Sequence, residues 1–495
     1  MKKFISFLSA VIIFMSVLPV SHALSYAQPF SRGENGFGEM RIPAIITLND
    51  GRVFAAVDDR HDHGTDSPQN IDTVTAISEN GYDGWKYSKI NCFDDCADGT
   101  GSKDSASFID PVIAQSKATD RIFVLVDAFA DNTGCMNAKQ DTGFTPDGHL
   151  KLNKIGSAGG AYVGDFSDGF APVIESGKET AYTVDEEYRL YLNSEPLKIK
   201  QINSDSFVQQ SVFYSDIYEV VHTSYLWLRY SDDGGETWSA PQILNYQVKS
   251  AEDTFLGTCP GRGTVIDYEG KERIIFNVYT YDKGEEHTSS IYSDDNGVTW
   301  RRGETVANTL LAGKTSESQI LAMPNGSLRM FSRNKSHYVT CCESKDGAQT
   351  WTKSKADINL DCTANCMVSF INLTSTIGGK PAVACSFACS SSGRANGAVR
   401  TGIIQDDGSI VWGAKYRVNK GFYAYSCLTE LPDGNLGLLY EDEPSHISYM
   451  VLKIDGDGNL SEINGNDCRE TFKDKETFLP VRNFFARILS KIGLL

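Results

Sequence analysis

The chain has 495 residues, of which 41% are hydrophobic, 22% charged and 11% aromatic, with 44 Gly against 15 Pro. That composition excludes a disordered chain, a collagen and a multi-spanning membrane protein, and the length exceeds what one compact core usually holds. With 46 basic against 64 acidic residues the formal net charge is −18, which argues against a nucleic-acid partner bound through a basic surface and leaves any anion site to be built from local arginines.

At the N-terminus, Lys2 and Lys3 precede an apolar run from Phe4 to Val20 and a small-x-small pattern, Ser21-His22-Ala23. Residues 1–23 read as a secretory signal peptide, with an uncleaved anchor as the alternative, and place the protein outside the cell or on its surface. Twelve Cys in an exported chain point to disulfides, and the even count fits full pairing. Three pairs share the spacing C-x3-C: Cys92/Cys96, Cys362/Cys366 and Cys385/Cys389. No His sits beside these pairs, so zinc is the weaker reading.

From residue 24 onwards the chain reads as β. Runs such as Arg121–Asp127 and Arg273–Thr280 are short, β-branched and separated by turn residues. The pattern S-x-D-x-G-x-T-W occurs in full at Ser231–Trp238 and Ser293–Trp300, with Ala348 in place of the second Gly at Ser344–Trp351, and in degenerate form at Ser78–Trp85. Each copy is a hairpin turn in which Asp caps the backbone, Gly takes a positive φ and Trp packs inward. Spacings of 62 and 51 residues between successive Trp suit four-stranded propeller blades.

A second repeat is an apolar hairpin, at Ile45–Val57, Ile320–Phe331 and Leu428–Tyr440. Glu317 and Tyr425 each lie nine residues before the turn Gly of their hairpin, and Arg41 lies ten before Gly51. Equivalent positions in successive blades start their inner strands at the same mouth of the channel, so these three side chains mark a candidate site. Residues 155–222 break the rhythm and read as a β-rich insertion between propeller segments 24–154 and 223–463. In the tail, 464–495, Phe478–Leu495 has helical apolar spacing with Arg482, Arg487 and Lys491 on the other face. It reads as an interfacial membrane helix or as one docked on the propeller.

With its four Asp boxes and Arg41-Ile42-Pro43 after Met40, the chain resembles the sialidase (neuraminidase) family over roughly residues 30–455. The family's motif has Phe where Met40 stands. The resemblance implies a six-bladed all-β propeller, no cofactor, no catalytic metal, and sialylated glycans as the partner. It assigns a trio of guanidiniums for the substrate carboxylate to Arg41, Arg333 and Arg394, a chemistry that suits planar bidentate forks. A carboxylate nucleophile would be repelled by that substrate carboxylate, and sialidases use Tyr instead. Tyr425 fits this role, with Glu317 as the base that draws off its proton. Asp66 falls on the loop that carries the family's acid/base Asp, with Asp62 and Asp59 as competing carboxylates. Arg60 would face the sugar's 4-hydroxyl, or else pair with Asp58 or Asp59. Arg262, in Cys259-Pro260-Gly261-Arg262-Gly263, also begins an inner strand, but the resemblance gives it no role. The expected activity is retaining exo-α-sialidase hydrolysis, with trans-sialidase or intramolecular transfer as the alternative and a non-catalytic lectin as the third reading.

Overall fold

Alternating apolar segments closed by Gly turns fold into antiparallel hairpins throughout the protein. The computed structural model describes residues 25–93, 106–200, 207–282, 285–309, 314–336, 338–361 and 364–463. The expected signal peptide and the C-terminal amphipathic stretch lie outside them. Among the described residues the one helix is the four-residue Asn245–Val248, and none is long and apolar enough to cross a membrane.

Four sheets repeat one antiparallel, four-stranded order. They begin with the strands Phe255–Thr258, Ser318–Ala322, Ser369–Ile377 and Ser426–Glu430, and the first and third each carry one extra short strand. A nine-stranded sheet contains the four strands from Glu39–Thr47 to Lys86–Asn91, and the five strands Ser107–Gln115, Ile122–Phe129, Tyr225–Ser231, Gln242–Ile243 and Gly261–Arg262. A single residue pair, Ile71 with Ser107, joins these two sets. The first strands contact one another in series: Ser318–Ala322 with Ser369–Ile377, that with Ser426–Glu430, and that with Glu39–Thr47. The arrangement is propeller-like, with first strands innermost. Tyr26 Oη donates to Glu462 Oε1 at 2.7 Å and Gln28 Nε2 to the Tyr449 carbonyl at 3.0 Å, so the N-terminal segment is tied to the last sheet.

All three hairpins read from the sequence close on the same turn bond. The amides of Gly51, Gly326 and Gly434 donate to the carbonyls of Leu48, Met323 and Leu431 at 2.9 Å each. The glycines sit at φ 92°, 83° and 84°, a region that disfavours side chains.

Between the strands Ile122–Phe129 and Tyr225–Ser231, which pair directly, the chain forms a separate seven-stranded sheet from Lys151–Lys154 to Tyr218–Val220. Its inner face shares one apolar core with the propeller, where Val163, Val173, Leu190 and Phe213 meet Phe108 and Trp227. The Trp227 indole donates to Asn91 Oδ1 at 3.0 Å, which satisfies its N–H in a fully buried position.

The Asp boxes show the expected capping. Ser293 Oγ donates to Asp295 Oδ1 at 2.8 Å and accepts from the Gly297 amide at 2.9 Å, while the Thr299 amide donates to Asp295 at 2.9 Å. The same bonds recur around Ser231 and Ser344. Ala348 holds φ 74°, the left-handed conformation that glycine takes in the other two boxes at lower steric cost. In the degenerate copy, Asn80 replaces Asp and accepts from the Tyr82 amide at 2.7 Å. Partial burial pushes Asp295 and Asp346 up, but the Thr299 and Thr350 donors pull both below the ordinary carboxylate range. Their contribution to stability is thus present above the unfolded carboxylate pKa of ~3.9 and lost as pH falls through the lower folded values. Ser293 is buried, and Ser293→Ala leaves the Gly297 amide unpaired. A loss of about 1–2 kcal/mol in chemical denaturation is expected.

Full cysteine pairing is not realised. Cys92 is disulfide-bonded, whereas Cys135, Cys259, Cys341, Cys342, Cys366, Cys385 and Cys427 are free thiols. Cys385 lies within the strand Lys380–Ala388 and Cys389 just beyond it. Four residues of extended chain span ~13 Å, too far for a disulfide. Both belong to the apolar core as small hydrophobes. The other two C-x3-C pairs each have a member, Cys96 or Cys362, outside the described residues.

Candidate active site

Arg41 stands near the start of the strand Glu39–Thr47, Glu317 one residue before Ser318–Ala322, and Tyr425 one before Ser426–Glu430. The hairpins therefore deliver all three to one end of the channel. Arg333 follows the strand Leu328–Ser332, and its amide donates to the Glu317 carbonyl at 2.8 Å. Arg394 comes from the loop between Lys380–Ala388 and Gly397–Ile404. Together with Asp66 these residues line one cavity of about 240 Å³.

Its centre is a hydrogen-bonded triad. Tyr425 Oη donates to Glu317 Oε1 at 2.7 Å, Arg333 Nη1 pairs with Glu317 Oε2 at 2.5 Å, and the same nitrogen reaches Tyr425 Oη at 3.1 Å. The guanidinium carbons of Arg394 and Arg41 stand 5.2 and 5.6 Å from the Tyr425 ring centroid. Burial raises the Tyr425 phenol well above its ordinary pKa, and the Glu317 charge adds to that; Arg333 and Arg394 oppose it. The resting group is therefore a neutral phenol aimed at a carboxylate.

Arg41 is fixed by a residue that the sequence did not single out. Glu441, fully buried, accepts from Arg41 Nε and from the Ile42 amide, both at 3.1 Å. Ile42 sits at φ 56°, rare for a β-branched residue and doubly so before a proline. Asp110, before Pro111, repeats the pattern at φ 65° and also lines the cavity. Both positions fall where the strand register shifts, so each bulge turns a residue toward the cavity. Asp127, Phe255, Tyr279 and Met136 complete parts of the wall.

Asp66 is 71% exposed at the rim and takes Arg60 Nη1 at 2.9 Å and Arg41 Nη1 at 3.4 Å. Desolvation pushes its carboxyl up, but Arg60 and then Arg41 outweigh it and hold the group below the ordinary range. The competing carboxylates stand elsewhere. Asp59 is buried, accepts from the Gly38 amide at 2.7 Å and lies near His61 and Lys89, and neither it nor Asp62 lines the cavity. Arg60 does not line it either. Fully buried behind Asp66, its guanidinium also pairs with Asp58 at 2.8 Å and donates to the Gly64 carbonyl at 3.0 Å. The ion pair with Asp58, the alternative partner read from the sequence, is thus present, and the same guanidinium holds Asp66. Tyr423 points away and meets Ser386 Oγ.

Three guanidiniums thus stand around a phenol–carboxylate pair on a propeller-like fold with Asp boxes. Residues 209–438 match the BNR repeat-like domain. The chain is 34% identical over 444 residues to the anhydrosialidase of Macrobdella decora, covering 81% of this chain and 57% of that protein's length. The intramolecular trans-sialidase of Ruminococcus gnavus, solved with oseltamivir carboxylate, superposes with a TM-score of 0.77 at 32% identity, covering 86% of this chain and 96% of that one. The NanB sialidase of Streptococcus pneumoniae gives 0.78 at 26% identity, over 90% and 72% of the two chains. The chain belongs to the sialidase family of glycoside hydrolases.

Proposed function

We propose that the protein is an exported, retaining exo-α-sialidase that cleaves terminal sialic acids from glycoconjugates through a tyrosyl-sialyl intermediate. The observation that carries this is the 2.7 Å bond from Tyr425 Oη to Glu317 inside the arginine-lined cavity. The substrate carboxylate lies against Arg41, Arg333 and Arg394. Tyr425 Oη attacks the anomeric carbon and passes its proton to Glu317 Oε1, while Asp66 gives a proton to the departing oxygen. In the second step Asp66 takes a proton from the incoming water, the bond to Tyr425 Oη breaks, and Glu317 returns the proton to the phenolate. Two inversions at one carbon retain its configuration. The fold reading that accompanies this is six blades, counting the nine-stranded sheet as two, with residues 155–222 as an insert between propeller segments 24–154 and 223–463.

The resting ion pair between Arg333 and Glu317 also explains how a buried base is kept beside a neutral phenol without substrate. When the substrate carboxylate arrives, Arg333 is shared with it, and Glu317 becomes freer to accept the phenolic proton. Arg333→Ala and Arg394→Ala should raise KM and lower kcat/KM by about 2–4 kcal/mol of transition-state stabilisation. Steady-state kinetics on sialyllactose check this, and unchanged constants in either variant would remove that arginine from the site.

Intramolecular transfer is the second reading, supported by the similarity to the Macrobdella and Ruminococcus proteins. There a hydroxyl of the bound sugar replaces water in the second step, and the product is an anhydro sugar one water lighter. Incubation with sialyllactose followed by mass analysis of the released sugar decides between them. An intact substrate would instead favour the lectin reading.

A further inference from the structure

We propose that the end of the channel opposite the catalytic cavity is a second anion site, in which Arg262 holds a small oxyanion of the carboxylate or phosphate class. The innermost strands run from one end to the other. Arg41, Asp110, Glu317 and Tyr425 line the catalytic cavity, whereas Thr47, Gln115, Ala322 and Glu430, farther along the same strands, line two adjoining cavities of about 330 and 510 Å³. Six residues of strand, as from Arg41 to Thr47, span ~20 Å. The two ends are thus separate sites.

Arg262 lines both far cavities. It is set there by the short strand Gly261–Arg262, which pairs in parallel with Val112 and Ile113. Gly261 lies at φ 106°, and a Cβ on it would approach Gln319 Nε2 to 2.5 Å, so only glycine lets the chain press this close to the neighbouring strand. No carboxylate among the described residues pairs directly with the guanidinium. Among the described residues it has no ion pair or hydrogen bond, in contrast to Arg41, Arg60 and Arg333. The acid whose charge reaches it, Glu430, already accepts from the Thr374 amide and hydroxyl and the Ser375 amide. Burial outweighs the Cys427 and Glu430 contributions and lowers the Arg262 pKa, the sign of a cation short of counter-charge. Lys117 adds a second cation to the wall of the first cavity. A half-enclosed fork with unused N–H donors is the group that binds planar or tetrahedral oxyanions.

The test uses the full protein and inorganic phosphate. Calorimetric titration of the wild type should count two phosphate sites, the catalytic arginines and Arg262. Arg262→Met should lose one of them and keep sialyllactose turnover. It should also melt higher than wild type without phosphate, because an uncompensated cation has been removed. Arg262→Lys, which keeps the charge but not the fork, should bind at the far site roughly 10-fold more weakly, and it serves alone if the Met variant fails to fold. Acetate titrated in parallel distinguishes carboxylate from phosphate as the better ligand. Equal site counts in wild type and Arg262→Met, or undiminished binding by Arg262→Lys, would overturn the proposal. Turnover read on the same samples keeps that result separate from any failure of the sialidase reading.

Discussion

Tyr425→Phe is expected to depress cleavage of sialyllactose and of an aryl sialoside alike, by at least ~10³-fold, as loss of a nucleophile does in other covalent mechanisms. The variant removes one oxygen from a buried ring that packs against Ile42, Leu428 and Tyr440, so the fold should persist, and circular dichroism should be unchanged. Glu317 keeps its bond to Arg333, and the arginines can still grip a carboxylate, so substrate binding should survive the loss of turnover. Binding without cleavage, measured by titrating sialyllactose into the variant, is the specific signature. Residual activity within about tenfold of wild type on either substrate would mean that the phenol is not the nucleophile, and Glu317 would then have to be tested as one.

The hairpins are legible because two local rules agree in them: strand alternation, and a glycine where the turn needs a positive φ. That agreement alone is enough to put Arg41, Glu317 and Tyr425 at one mouth of the channel. Arg333 and Arg394 come only from the family resemblance, since Arg394 stands on a loop whose Ser/Gly composition carries no period. Glu441 escapes a reading of the sequence, although an acid inside the apolar run Leu436–Glu443 is a signal. Its partner, Arg41, is 400 residues away, and pairing at that distance depends on ring closure. Asp110 also leaves a trace, because Ile109-Asp110-Pro111 repeats the x-Pro bulge of Arg41-Ile42-Pro43. The cysteines bear out pairing only in part: Cys92 is disulfide-bonded, whereas the strand Lys380–Ala388 separates Cys385 from Cys389 and the core takes both as apolar filler. Around Arg60 the near neighbours in sequence look like rival partners, and the fold stacks Asp58, Arg60 and Asp66 in one chain of ion pairs.

That chain of pairs sharpens the last prediction, which separates the acid from the nucleophile. Arg60 and Arg41 hold the Asp66 carboxyl below its ordinary range, which favours the ionised form, the wrong state for a proton donor. A bound substrate carboxylate partly neutralises Arg41, so the Asp66 pKa should rise in the complex. The alkaline limb of kcat/KM, which reports the free protein, should then fall at lower pH than that of kcat for a substrate whose first step is rate-limiting. Asp66→Asn removes the donor in both states. Sialyllactose has a poor leaving group that needs the proton, whereas an aryl sialoside expels a stable phenolate without much help. The variant should therefore slow sialyllactose far more than the aryl substrate, with a gap approaching the ~10²–10⁴-fold worth of a placed general acid. Arg60→Met, which leaves the carboxyl but removes its nearest cation, should shift the alkaline limb upward instead of abolishing turnover. If Asp66→Asn slows both substrates by one factor, Asp66 is not the acid, and the half-buried Asp110 on the cavity wall becomes the next carboxyl to test.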